Sequence, residues 1–135
     1  MKGRCFCGKV QISTSEPPLV VRSCWCRDCQ YLGAGSATVN AVFRNDQVSI
    51  AGNLADYQSS ADSGAKMTRS FCANCGTAVS SRSNTKPDLV VLRVGLFDDR
   101  AALSPSLTIW TDSAPEWGCW NKELPSAPRQ LPPAG

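Results

Sequence analysis

Residues 71–79 read FCANCGTAV, and the spacing inside this stretch decides how the rest of the chain is read. Cys72 and Cys75 form a Cys-x-x-Cys pair followed by Gly76. That is the spacing of a metal knuckle, in which a glycine lets the chain turn back so that backbone N–H groups face the sulfurs. Two sulfurs leave a tetrahedral ion half-bound. The matching pair stands near the start, where residues 4–10 read RCFCGKV and supply Cys5 and Cys7, with Gly8 behind them. Residues i and i+2 of an extended chain point to the same side, so these two sulfurs can share one ion. The two pairs together make a closed four-thiolate zinc site that ties the N-terminus to mid-chain across 64 intervening residues. Ligands that meet only in the folded chain make metal binding a part of folding free energy, so the site is expected to be structural. A redox Cys-x-x-Cys leaves Cys5 and Cys7 unexplained.

A second cysteine group lies in RSCWCRDCQ, residues 22–30, where Cys24, Cys26 and Cys29 are close enough for one ion to take all three sulfurs. Of the eight cysteines only Cys119 is then left, 90 positions beyond Cys29, and the chain has no histidine. Three protein ligands with solvent or substrate in the fourth position is the pattern of catalytic zinc. A second structural site, closed by Cys119 or by a carboxylate such as Asp28, is the other reading of the same residues. Three thiolates around Zn2+ carry one net negative charge. That dampens Lewis acidity and suits a thiol ligand better than activation of water for hydrolysis. Without an imidazole, proton transfer falls to water or a carboxylate.

The remaining composition narrows the class. A chain of 135 residues fits one domain with a real core, to which four Trp, four Phe and two Tyr contribute bulk. No apolar run is long enough to cross a bilayer, and the start MKGRCFCGKV has no apolar h-region, so no secretory signal is visible. The expected location is the cytoplasm, where thiols stay reduced and clustered cysteines bind metal more often than they form disulfides. The formal charge of +3 is mild and its basic residues are scattered, so neither nucleic acid nor a membrane is expected as partner.

Most of the chain reads as short strands between turn signals. KVQIST (9–14) alternates, and SATVNAVF (36–43) is small and β-branched. QVSI (47–50), ADYQSS (55–60), KMTRSF (66–71), TAVSSR (77–82) and DLVVLRVG (88–95) follow at short intervals. Only RDCQYLGAG (27–35) and FDDRAAL (97–103) look helical, for one or two turns each. The fold class is therefore mainly β, with very little helix. The four prolines of LPSAPRQLPPAG (124–135) point to a domain over residues 1–126 and an extended or disordered tail over 127–135.

These residues, in this order, resemble the glutathione-dependent formaldehyde-activating enzyme family, which includes the centromere protein V-like domains. The likeness rests on GRCFCGKV (3–10), SCWCRDCQYLGAGSA (23–37), RSFCANCGTAVSSR (69–82), DLVVLRVGLFDD (88–99) and SLTIWTDSAPEW (106–117). It implies a β-tent of small antiparallel sheets with two zinc positions. By the same resemblance, Cys5, Cys7, Cys72 and Cys75 match the structural zinc, and Cys24, Cys26 and Cys29 the catalytic zinc. The implied activity is carbon–sulfur lyase chemistry on glutathione-like thiol adducts of aldehydes, interconverting S-hydroxymethylglutathione with glutathione and formaldehyde. The competing expectation is a non-catalytic binding module scaffolded by zinc on the same fold. Two positions depart from the family pattern. Trp25 stands where relatives often carry His, and a late HIW-like motif reads Thr108-Ile109-Trp110.

Other side chains carry weaker expectations. Arg27, Arg69 and Arg93 are candidates to hold a ligand's carboxylates, since guanidinium pairs with them bidentately. Ser23 and Asp28 are candidates to support the triad sulfurs. Trp110, Trp117 and Trp120 are expected to pack in the core around Cys119, itself expected as a small buried hydrophobe.

Overall fold

In the computed structural model, which describes residues 1–61 and 64–131, the strands assemble into two sheets. The smaller sheet has the order β1–β2–β5, from Lys2–Arg4, Gln11–Thr14 and Val48–Ala51. The larger has seven strands: β3 (Val20–Cys24), β4 (Thr38–Arg44), β6 (Leu54–Ser60), β7 (Lys66–Cys72), β8 (Ala78–Ser83), β9 (Leu89–Arg93) and β10 (Leu107–Ile109). Their order across the sheet is β10–β3–β4–β9–β8–β7–β6, antiparallel throughout except for the parallel pair β10–β3. The mainly β reading holds. The helical content is one α-helix, α1 (Arg27–Leu32), and short 3-10 turns, among them Val94–Leu96, Arg100–Leu103 and Thr111–Ser113.

Strands β2 and β4 to β9 fall on the segments whose alternation or β-branching announces them. β1, β3 and β10 were not foreseen. β1 and β10 have three residues each, too few for a period of two to register. The residues of β3, VVRSC, do not alternate, and its place is set by pairing with β4 from Val20↔Val42 to Cys24↔Thr38. This pairing delivers the first triad cysteine, Cys24, to the buried end of the strand.

The core forms where the two sheets meet. Val10, just before β2, and Ile12 within it, with Phe43, Val79, Val90 and Leu92 from the large sheet, are all buried in it. Phe43 stacks on Phe97 at 5.8 Å between ring centroids. Burying an aliphatic or phenyl side chain of this kind stabilises by about 1.5–3 kcal/mol. Cys5 and Cys72 belong to the same core, at 2% and 1% exposure. β1 is pressed against the turn that follows β9: a Cβ on Gly3 would lie 2.2 Å from the Leu96 carbonyl oxygen, so only glycine fits. That close approach sets Arg4 beside residues 95–100, which matters for the cleft below.

The chain beyond residue 124 runs beside β10. Thr108 N–H donates to the Pro125 carbonyl at 3.1 Å, Ala127 N–H to the Thr108 carbonyl at 2.9 Å, and Thr111 N–H to the Ala127 carbonyl at 3.2 Å. Residues 132–135 of the expected tail lie outside the described residues. Among the described residues no helix is long and apolar enough to cross a membrane.

Candidate metal centres and the cleft between them

The two knuckles meet as the spacing predicts. The sulfurs of Cys5, Cys7, Cys72 and Cys75 all lie within 4.8 Å of one another. Cys5 and Cys7 Sγ are 3.5 Å apart and Cys7 and Cys72 Sγ 3.8 Å. A tetrahedron of thiolates with bonds of about 2.3 Å sets its sulfurs about 3.8 Å apart, so the spacing fits one ion. The local backbone explains it. Gly8 and Gly76 both take positive φ, 82° and 77°. Their N–H groups close tight turns onto the Cys5 carbonyl (3.1 Å) and the Cys72 carbonyl (2.9 Å). Val10 N–H then donates to Cys5 Sγ at 3.3 Å, and Cys75 N–H to Cys72 Sγ at 3.5 Å. Thr77 links the halves: its Oγ1 accepts from Phe6 N–H at 3.1 Å and lies 3.1 Å from Cys75 Sγ. The hydroxyl and backbone of Thr77 hold the Cys75 thiol down at about 5.

The triad is built differently. Cys24 ends β3, Cys26 caps α1, and Cys29 lies in its first turn. The Cys26 sulfur accepts the Cys29 N–H at 3.3 Å, replacing the usual Ser or Asp cap, so folding the helix places two of the three sulfurs. Gln30 anchors the helix from below. Its buried amide donates to the Trp25 carbonyl at 2.7 Å and to the Ser113 carbonyl at 2.9 Å. All three sulfurs converge within 4.8 Å. Hydrogen bonds from Cys24 and Cys26, with help from Thr38 and the charge of Arg93, hold the Cys29 thiol down at about 2. Cys24 is pushed far up by its hydrogen bonds with Cys26 and Cys29, by burial and by their charge. A cation bound by the three sulfurs would replace their protons. Both sets consist of soft sulfur donors, and either can hold a metal ion.

Neither residue considered as closing the triad does so. Cys119 is exposed and outside the cluster, and Asp28 forms an ion pair with Arg69 at 3.3 Å. The expectation of a buried Cys119 is corrected: residues 114–124 form turns with no strand or helix, and so have no inward face at that position. The expectation that Trp110, Trp117 and Trp120 pack in the core is corrected: Trp117 is 69% exposed and the other two are half-buried, although none of them lines the cleft. Trp25 is buried with its ring 6.4 Å from Trp117 and 6.0 Å from Trp120, and Trp110 donates its indole N–H to Gln130 at 3.4 Å. Of the three candidate arginines, Arg27 bonds Gln30 and lies over the Tyr31 ring, and Arg69 is taken by Asp28 and Ser59.

Arg93 alone of those three lines a cleft of about 740 Å³ that reaches from the four-cysteine knuckles (Cys5, Phe6, Thr77) to the end of the triad helix (Leu32) and the start of β4 (Thr38). The triad cysteines are not in its lining; Thr38, paired in register with Cys24, and Arg93 connect it to them. Arg93 donates to Asn40 Oδ1 and Ser81 Oγ, and its buried Nε has no partner. Burial draws the guanidinium pKa down, against the pull of the Cys29 thiolate. The sequence reading missed Arg4, Asp98 and Arg100, which also line the cleft. The signal that points to them is Gly3, whose close packing brings β1 to that turn.

The fold and these residues define a mainly β chain with two sulfur clusters, of four and three cysteines, that could each hold a metal ion. A family model described as glutathione-dependent formaldehyde-activating enzyme matches residues 1–113. The chain belongs to that family. Its structure is also similar to the crystal structure of a Rhodobacter sphaeroides protein, with a TM-score of 0.58 and 25% sequence identity, over 73% of this chain and 88% of that one. No curated protein matches it significantly in sequence.

Proposed function

We propose that the protein is a zinc-dependent carbon–sulfur lyase of the cytoplasm that acts on glutathione-like thiol adducts of aldehydes, the S-hydroxymethylglutathione class. Family membership supports the substrate class. The observation that carries the reading is the triad: three sulfurs converge, and no fourth His, Cys, Asp or Glu among the described residues joins them. Cys5, Cys7, Cys72 and Cys75 would hold the structural zinc, and Cys24, Cys26 and Cys29 the catalytic one. Zinc at the triad would favour the thiolate form of a coordinating thiol.

The chain's own groups supply the rest. Thr38 and Arg93 stand between triad and cleft, so the guanidinium offsets negative charge that gathers on sulfur as the adduct's C–S bond breaks. In that step the adduct's hydroxyl loses its proton, the C=O bond of the aldehyde forms, and the C–S electron pair goes to sulfur. With no histidine, water or a carboxylate takes the proton, and Asp98 is a carboxylate on the cleft wall. The experiment is exchange spectroscopy by NMR on glutathione and formaldehyde with zinc-loaded protein. Adduct exchange faster than the uncatalysed rate supports the reading, and an uncatalysed rate at saturating protein overturns it.

A further inference from the structure

We propose that Asn40 and Thr38 are positioning residues for the triad, carrying a one-way chain of hydrogen bonds from the Arg93 guanidinium to the Cys29 sulfur. The chain draws charge from that sulfur and so leaves a bound metal more electrophilic toward its outer ligand. This rests on the triad holding a metal and goes beyond the lyase reading, which assigns Asn40 nothing. The register of the large sheet sets the chain up. Cys24 pairs with Thr38, and Asn40 pairs with Arg22 on one side and Arg93 on the other. Alternate residues of a strand share a face, so Cys24, Thr38, Asn40 and Arg93 stand together on the face that Cys29 meets.

The direction of the chain follows from donor chemistry. A guanidinium has donors only, so the Asn40 atom that meets Arg93 is the carbonyl Oδ1. That turns the amide nitrogen toward Thr38, whose Oγ1 accepts from it at 2.9 Å. The hydroxyl then keeps its one proton for its other partner, the Cys29 sulfur. Ser81 Oγ accepts from the second arm of Arg93 and holds the guanidinium in place. Thr38, Asn40 and Ser81 are 7%, 5% and 5% exposed, so water does not compete for these bonds. Burying an amide is costly unless it is bonded, and this one uses both its ends. A chain of donors with a full charge at its head polarises each bond along it. The Cys26 sulfur takes its bond from the Cys29 backbone N–H instead, so side-chain tuning falls on Cys29. Partners of this kind orient a metal's ligands and set how strongly they donate.

The test is absorption spectroscopy of protein in which Co2+ replaces the chelatable zinc. A hydrogen bond stabilises the filled sulfur orbital, so its loss moves the sulfur-to-cobalt charge-transfer band to longer wavelength. Thr38→Val, which keeps shape and strand preference, is expected to show that shift and to bind Co2+ about tenfold more weakly or worse. Thr38→Ser restores the hydroxyl and should keep the wild-type band. In Asn40→Asp the carboxylate accepts from Arg93 and takes the Thr38 proton as well, so the band should move the same way. The double variant Thr38→Val/Asn40→Asp should shift by less than the sum of the two, since both break one chain. A lower melting temperature with the band in place in Thr38→Val means a structural role only and overturns the proposal, as do fully additive shifts. If no cobalt is taken up, this inference and the metal at the triad both fall. Adduct exchange by the zinc-loaded wild type is read separately: exchange with no band shift in the variants leaves the lyase reading without the chain, and band shifts without exchange support the chain at a metal that is not a lyase centre.

Discussion

The two sulfur clusters use the same chemistry and are built by opposite means. The four-cysteine set joins segments that are far apart in sequence, and each half is shaped by a glycine turn with N–H groups aimed at sulfur. Two of its members are core residues. The triad comes from six consecutive positions, and a strand end plus one turn of helix suffice to assemble it. Long-range closure couples metal to folding, because the ligands are dispersed in the unfolded chain. Local closure does not. The difference supports the proposed division of labour, in which the first cluster would hold the fold and the second would exchange its outer ligand without disturbing it.

The largest break in that comparison comes from Cys72→Ser. Structural zinc contributes apparent binding free energies of about 10–16 kcal/mol, comparable to the whole stability of a typical domain. The variant is expected to be insoluble or to show no cooperative melting by circular dichroism. Wild-type melting and metal content would contradict the structural role. Cys26→Ser is expected to differ in kind. Serine is a good helix cap, so α1 keeps its first N–H bond and the thermal midpoint stays near wild type. Adduct exchange should nevertheless fall by about a hundredfold or more, since loss of a ligand removes several kcal/mol of charge stabilisation. An active Cys26→Ser protein would place the chemistry elsewhere.

Metal removal sharpens the same contrast. Mild chelation is expected to take one equivalent of zinc, from the triad, and to leave the near-ultraviolet dichroism in place; a second equivalent should leave only with unfolding. Loss of both together with the fold would make the triad structural. The smallest effect belongs to Cys119→Ala. The residue is exposed and outside both clusters, so stability should stay within about 0.5 kcal/mol and activity near wild type.

Much of this was readable before any coordinates. The spacing inside each cysteine motif is a local quantity, so the triad and both knuckle halves were legible from it, as was the short helix ending at Gly33; the Cys26 cap was not. The strands with branched or alternating residues were equally legible. What escaped reading depends on tertiary pairing. β3 is a strand because β4 and β10 lie beside it, and the cleft exists because β1 packs its glycine on the Leu96 carbonyl. Arg4 and Arg100 are 96 positions apart, and nothing local marks them as neighbours of one cavity. Arg27 and Arg69 looked as suitable as Arg93, until Gln30 and Asp28 were seen to occupy them.

The central claim is that the outer position of the triad belongs to no atom of this chain. A crystal structure of the zinc-loaded protein, purified without added thiol, tests it most directly. The account predicts zinc at about 2.3 Å from the sulfurs of Cys24, Cys26 and Cys29, with a solvent atom as the fourth ligand, replaced by sulfur when glutathione is added. A fourth bond from Cys119 Sγ or from the Asp28 carboxylate would contradict it and leave a chain whose metals serve only as scaffold.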